Sequence, residues 1–373
     1  MMKQQIILRD TTLREGVQIP GSRVATADKQ RFVALLDELG VPEIEIGLPD
    51  GVNACASLAR FIHERGLRIK PTGLVPCYGA RWRQQVDLAA DCGLRVDVLV
   101  PVSDYLLRDA DHYRLTAEQI SPRLTEVIAY ARSRSVPAGA ALMDACRAPR
   151  QRLLELLAGL NAERIVIYDS VGTMLPWRMS ELIRAVRQAT PLPILVHCHN
   201  DHGMATANTL AALDAGAVAA DVAVNGLGGR AGNAALEEVV MALEQLCRRA
   251  TGVNTRRLRE LSTFVEQMTG IQNSPLKPVT GRYCFAHVPV MHIRCIAGGN
   301  PDAFEPFDPQ RVGAERTYGF CLPVDYAAAI EPFLRKSGVE LSPEQMTALL
   351  AKLRSAPDQS EAQILKCIHE ILS

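Results

Sequence analysis

The stretch PILVHCHNDHGMATANTLAALDAGAVAADVAVNG, residues 193–226, reads as a strand, a helix and a second strand in succession. The apolar run PILVHCH (193–199) ends in polar residues, MATANTLAALDAG (204–216) carries small and apolar residues up to a closing glycine, and DVAVNG (221–226) is again a strand pattern. A helix of that length crosses back over a sheet and sets the second strand parallel to the first. His197 and His199 bracket Cys198 at the end of the first strand. Successive strand side chains point to opposite faces, so the imidazoles share one face and Cys198 takes the other. That geometry suits chelation of a cation, although two ordinary polar residues at a strand end would look the same over this stretch alone.

The alternation extends outward in both directions. Upstream, QIILRD (5–10), EIEIG (43–47), RIKPTGLV (68–75), RVDVLVPV (95–102), PAGAALMD (137–144) and RIVIYDS (164–170) read as strands, which with 193–199 and 221–226 makes eight. Amphipathic segments such as KQRFVALLDELG, WRQQVDLAADCG and MSELIRAVRQ separate them, and AGNAALEEVVMALEQL supplies a last helix after the eighth strand. Eight strand–helix repeats predict a (β/α)8 barrel of the α/β class. An open doubly wound sheet is the alternative, but its Gly-rich phosphate turn after the first strand is missing. From Thr251 the pattern changes: a helical stretch 255–269, an irregular Pro- and Gly-bearing segment 273–313, and helical stretches near 324–337 and 343–371. The expected organisation is a catalytic barrel over 1–253 and a C-terminal region, partly irregular and then helical, over 254–373. The irregular part is expected at the barrel mouth or on a partner subunit.

Composition excludes several function classes. The 373 residues carry 41 Lys+Arg against 41 Asp+Glu, so net charge offers no case for nucleic acid or an anionic membrane. No run of about 18 apolar residues occurs and the N-terminus lacks a signal-peptide core, which points to the cytoplasm. The ten cysteines include no C-x-x-C pair, so neither a zinc knuckle nor a disulfide framework is expected.

In a closed barrel the first, seventh and eighth strands are contiguous, and their C-terminal ends share one face. The first ends in RDTTLREGVQ (9–18), the seventh in the two histidines and the eighth in NGLGGRAGN (225–233). A carboxylate from Glu15, imidazoles from His197 and His199, and an amide oxygen from the last loop would form a mixed N/O site for Mg2+, Mn2+ or Zn2+. The competing reading of Glu15 is a salt bridge with Arg14 or a helix N-terminal carboxylate.

LRDTTLREGVQ, VHCHNDHGMATANTLAALDAGA and NGLGGRAGNAALEEVVMAL together resemble the DRE-TIM metallolyase superfamily, in its branch of 2-isopropylmalate, citramalate and homocitrate synthases. EIEIGLP, LVPVSDYLL, DACR and DSVGTMLP extend the likeness over about residues 5–250, and PVSD and GVPEIEIGLP are most similar to short homocitrate synthases of the nitrogenase-associated kind. The resemblance implies a TIM barrel, metal ligands at Glu15, His197, His199 and Asn233, and Arg14 beside the substrate carbonyl. It also implies Gln18 and Ser170 holding the carboxylate of a 2-oxo acid; a hydroxyl bonded to backbone is the other reading of Ser170. Phe285 to His292 match a FAHxxGIH-like pattern in both histidines, which makes His292 the candidate base that takes or relays the acetyl-CoA proton, supported by His287, against a plain loop histidine. Tyr318 is the further candidate near the base.

The implied activity is condensation of acetyl-CoA with a 2-oxo acid, 2-oxoglutarate first, in a homodimer. Oxaloacetate, pyruvate, 2-oxoisovalerate or a phosphonopyruvate-type acid are alternative substrates, and an HMG-CoA-lyase-like carbon–carbon lyase is the alternative reaction. The lyase route needs a mobile thiol, for which Cys198, Cys284, Cys295 and Cys321 are the candidates. The sequence departs from the family pattern at Met143, Gly229, Val290, Ile293-Arg294-Cys295 and 318–327. These departures are expected around the acyl-CoA and distal substrate region.

Overall fold

The computed structural model describes residues 6–50, 54–318, 327–356 and 361–372. Eight parallel strands close into a barrel in sequence order: β1 (Ile7–Asp10), β2 (Glu43–Glu45), β3 (Lys70–Pro76), β4 (Arg95–Pro101), β5 (Ala138–Met143), β6 (Ile165–Asp169), β7 (Ile194–Cys198) and β8 (Ala219–Val222). β8 pairs with both β7 and β1, placing Ala219 beside Leu195 and Ile7 and closing the cylinder. The eighth strand thus starts earlier than expected and stops at Val222. Val224–Gly226 is a tight turn with Asn225 at φ 63°, a left-handed position an asparagine tolerates. The helix after it spans Leu236–Gln245, not the whole of 231–246, and residues 231–235 form a loop.

The crossover helices form where apolar residues recur on one face. In Pro176–Ala189, proline occupies the first turn, where no N–H is needed, and Met179, Leu182, Ile183 and Val186 are buried along one stripe. Thr26–Leu39 buries Phe32, Val33, Leu36 and Leu39 and ends at Gly40, whose left-handed φ of 85° lets its N–H reach the Leu36 and Asp37 carbonyls. Each such side chain contributes about 1.5–3 kcal/mol of burial.

The barrel interior divides in two. Ala141, Val166, Tyr168, Leu195 and Ala219 make an apolar cluster. Beside it runs a column of opposed charges. The Arg9 side chain, 0% exposed, binds Asp221 through Nε (2.6 Å) and Nη2 (2.9 Å) and Asp97 through Nη1. Arg164 donates to Asp97 at 3.1 Å from two nitrogens and to Glu43 at 2.6 Å.

The chain divides into two compact units, residues 1–255 with 260–272 and residues 256–259 with 273–373. In the second, β9 (Ala286–His287) pairs in parallel with β10 (Thr317–Tyr318). The 273–313 segment is not irregular throughout: Val290–Ala297 is a helix that buries Ile293 and Ile296 against Ile330, Leu334, Leu349 and Leu353. The expected single helical stretch over 343–371 is two helices, Pro343–Ser355 and Glu361–Leu372. The first opens on a Ser342 and Gln345 capping box.

Candidate metal centre at the C-terminal mouth of the barrel

The turn after β1 is built by Asp10, whose carboxylate accepts from the Thr12 N–H (2.9 Å) and hydroxyl (2.8 Å), while the Arg14 and Glu15 N–H groups donate to Thr11 O at 3.0 and 2.8 Å. The turn sets Glu15 Oε1 3.4 Å from His199 Nε2. His197 Nε2 and His199 Nε2 face one another at 3.3 Å, and one ligand atom from each of the three residues lies within 4.8 Å of the others. All three side chains are buried.

Two imidazole nitrogens face to face gain little from one another, and both rings are neutral. Burial, opposed in part by Asp221, lowers the His197 pKa; burial, then His197 and Arg230, brings His199 down to about 3. The His197 Nδ1 proton goes to Asp221 Oδ2 at 2.9 Å, which leaves the Nε2 lone pair for the centre. Neighbouring donors on one cation with bonds of about 2.1 Å stand roughly 3 Å apart, so the nitrogen spacing fits a shared ion.

Asn233 joins this group through the β8 loop. Residues 199 and 233 form an isolated antiparallel bridge, with Asn233 N–H on Gly226 O at 2.9 Å and Ala234 N–H on Cys198 O at 3.2 Å. Gly228 leaves room for the amide, since a Cβ there would run into Asn233 Oδ1. Asn233 Nδ2 sits 2.9 Å from His197 Nε2, and among the described residues Oδ1 has no partner. A half-turn of the amide about its last bond turns the oxygen toward the imidazoles. His199 Nδ1 is likewise buried without a partner. The residues therefore fit a divalent cation held by Glu15, His197, His199 and Asn233.

Arg14 lies beside this cluster, its Nε on Glu45, its Nη1 on Glu15 and its Nη2 unmatched. Glu15 thus makes the salt bridge with Arg14 and at the same time faces His199. The Ser170 hydroxyl accepts from the Asp144 N–H at 2.9 Å, so its backbone bond is present while its own proton stays available. Gln18 is exposed on the same turn as Glu15.

His292 and Tyr318 belong to the second unit. His292 stacks on Phe304 (centroids 3.8 Å apart) and stands on the Val290–Ala297 helix, not in a loop. His287 Nε2 bonds Glu305 Oε1 at 2.9 Å, and Glu305 also receives Arg316. Tyr318 is buried in that unit's apolar core. Of the thiols, Cys198 is buried and held toward Thr209, away from the imidazoles, and burial pushes its pKa up; Cys284 and Cys295 belong to the second unit, and Cys321 lies outside the described residues. Among the departures, Gly229 stands at the metal cluster and not in a distal region: a Cβ there would lie 3.8 Å from Glu15 Oε1.

Sequence reasoning passed over Glu45, Asp221 and Tyr168, which hold Arg14, orient His197 and stack on His197 with centroids 4.3 Å apart. Strand alternation could have found them, because Glu45 sits two residues after Glu43 in EIEIG and Tyr168 and Asp221 face the same interior.

A family model described as HMGL-like matches residues 5–265. A homocitrate synthase of Methanopyrus kandleri is 34% identical over 362 residues, covering 96% of this chain and 89% of that protein. A 2-isopropylmalate synthase of Caldanaerobacter subterraneus is 34% identical over 356 residues, covering 94% and 90%. Among solved structures, the HMG-CoA lyase of Brucella melitensis superposes with a TM-score of 0.62 at 20% identity, over 72% of this chain and 100% of the lyase, a likeness of fold. Matched over most of its length by the family model and over nearly all of it by the two synthases, the chain belongs to the HMGL-like family, the DRE-TIM metallolyases.

Proposed function

We propose that the protein is a divalent-metal-dependent synthase that condenses acetyl-CoA with a 2-oxo acid, 2-oxoglutarate being the first choice. The observation that carries this reading is the cluster of Glu15, His197 and His199 beside a half-matched Arg14, in a chain similar over most of its length to homocitrate and isopropylmalate synthases. In the reaction the acetyl methyl loses a proton, its carbon bonds to the keto carbon, and the keto oxygen gains a proton. Water then cleaves the thioester to a carboxylate and free CoA thiol.

Glu15, His197 and His199, with Asn233 beside them, would hold the cation, which when bound would supply Lewis acidity to the keto oxygen, and Asp221 keeps the His197 tautomer. Arg14 adds a hydrogen bond where negative charge develops on the keto oxygen. Gln18 and Ser170 hold the carboxylate, Ser170 through the proton its backbone bond leaves available. His292 takes or relays the methyl proton, with Tyr318 as the further candidate. On this reading residues 1–253 are the catalytic barrel, the C-terminal region 254–373 supplies the base, and the molecule is a cytoplasmic homodimer. Loss of dimers without loss of turnover in sedimentation would remove the dimer from the account. The buried, outward-held Cys198 disfavours the thiol-dependent lyase.

The deciding experiment is thiol release from acetyl-CoA with Mg2+ or Mn2+ across 2-oxoglutarate, oxaloacetate, pyruvate, 2-oxoisovalerate and phosphonopyruvate. Release with one of these supports the synthase, and release with none of them overturns it.

A further inference from the structure

Tyr168 is 5% exposed, and among the described residues its hydroxyl has no hydrogen-bond partner. The ring cannot swing away to find one. It lies on the His197 imidazole with centroids 4.3 Å apart and planes 27° from parallel, and His197 is itself fixed by Asp221. Rotation about the C–O bond is the freedom left. A phenol carries a proton throughout the neutral range and can donate it.

The same interior holds a second unmatched donor. Two nitrogens of Arg14 are engaged by Glu45 and Glu15, and among the described residues the buried Nη2 has no partner, while the other Glu45 oxygen, Oε2, faces Arg9 Nη2 at 3.4 Å. The phenol and the guanidinium lie close enough to act on one another electrostatically. Buried polar groups are otherwise matched in proteins, and an unmatched one destabilises the fold, so two unmatched donors next to a metal cluster mark a place where a ligand brings acceptors.

We infer that Tyr168 is a substrate-binding residue whose hydroxyl, together with Arg14 Nη2, donates to oxygens of the 2-oxo acid held beside Glu15, His197 and His199. The inference rests on the synthase reading and adds a recognition group that none of the sequence motifs contains. It also assigns the apolar wall: the Tyr168 ring, packed with Val166 and Leu195, faces the bound acid's carbon skeleton.

The test is Tyr168→Phe, which keeps the ring and its stack and deletes the hydroxyl. Calorimetric titration of the metal-loaded protein with 2-oxoglutarate, oxaloacetate, pyruvate and 2-oxoisovalerate, without acetyl-CoA, identifies the acid that wild type binds. For that acid the variant's Kd rises about 10-fold or more, the usual size of a lost bond to a charged acceptor, with metal stoichiometry unchanged. Without ligand the melting temperature of the variant rises by about 1–2 °C, because an unmatched buried hydroxyl has been removed. An unchanged Kd overturns the inference alone. A lower melting temperature, or failure to fold, also overturns it, since the hydroxyl would then have a partner within the protein, such as Glu45. Wild type that binds none of these four acids, nor phosphonopyruvate in the same titration, overturns the synthase reading and the inference with it.

Discussion

Arg9 and Arg14 stand in one barrel interior and share the neighbourhood of Glu45, yet they are matched differently. Every guanidinium nitrogen of Arg9 meets a carboxylate, from Asp221, Asp97 or Glu45. Arg14, nearer the mouth, leaves Nη2 unmatched, and around it Tyr168 Oη, His199 Nδ1 and Asn233 Oδ1 are unmatched too. Both arginines of the lower column, Arg9 and Arg164, meet carboxylates at every guanidinium nitrogen, although Glu45 Oε2 reaches Arg9 only at 3.4 Å. The mouth leaves several buried donors and acceptors open among the described residues. A buried ion pair costs desolvation that only full pairing offsets, so the matched column holds the barrel's interior, whereas the unmatched layer lowers stability for the sake of binding.

The largest effect is expected where the ligand set is cut. His197→Ala, His199→Ala and Glu15→Gln should abolish divalent-metal binding and turnover, each losing a donor or an anionic charge, while circular dichroism keeps the wild-type barrel signal. Metal retained at full stoichiometry after dialysis would break the distinction between the layers.

Next comes the column. Arg9→Met leaves Asp97 with Arg164 alone and Asp221 with a neutral imidazole alone, and urea denaturation should show a loss of about 3–5 kcal/mol. Arg14→Met, at a partly open mouth, should cost less than half of that and still silence turnover. Equal losses would erase the contrast between the two arginines.

His292→Ala probes a group of the other unit that stacks on Phe304. It should lower kcat by about 100-fold, close to 2.7 kcal/mol in barrier, with oxo acid affinity and metal content unchanged. A near-normal single-turnover rate would move the base elsewhere, with Tyr318 next to test.

The smallest effect belongs to Asp10, a buried carboxylate with donors from Thr12 but no cation. Burial, against those donors, raises its pKa to about 7. The folded chain then keeps a proton that the unfolded chain releases near pH 4, so the contribution to stability is fully present below about pH 4 and is lost as pH rises through about 7. Between pH 5 and 8 wild type should lose about 2 kcal/mol relative to Asp10→Asn. Parallel stability curves would show that Asp10 is ionised in the fold and belongs with the matched groups.

The barrel and half of the site were legible before any coordinates. Period-2 and period-3.6 patterns arise from chain neighbours, and eight repeats close in only a few ways, so β1, β7 and β8 had to adjoin and Glu15, His197 and His199 had to converge. Short elements were not legible. The Val290–Ala297 helix lies between Pro289 and Gly298, too brief to show its period, and it is held by apolar contacts with Ile330 and Leu349, far along the chain. The β8 strand gave way after Val222 because Asn225 adopts a left-handed turn tied to Ser262, whose hydroxyl donates to Asn225 Oδ1 at 2.6 Å. By itself, then, the sequence determined the repeat, the strand faces and the carboxylate and imidazole types of the mouth cluster, all of which depend on residues within a turn or two of each other. Tertiary structure alone decided which polar groups are matched, Arg9 by Asp221 across 212 positions and Tyr168 by nothing within the described chain, because hydrogen bonding turns on register and distance across the closed barrel.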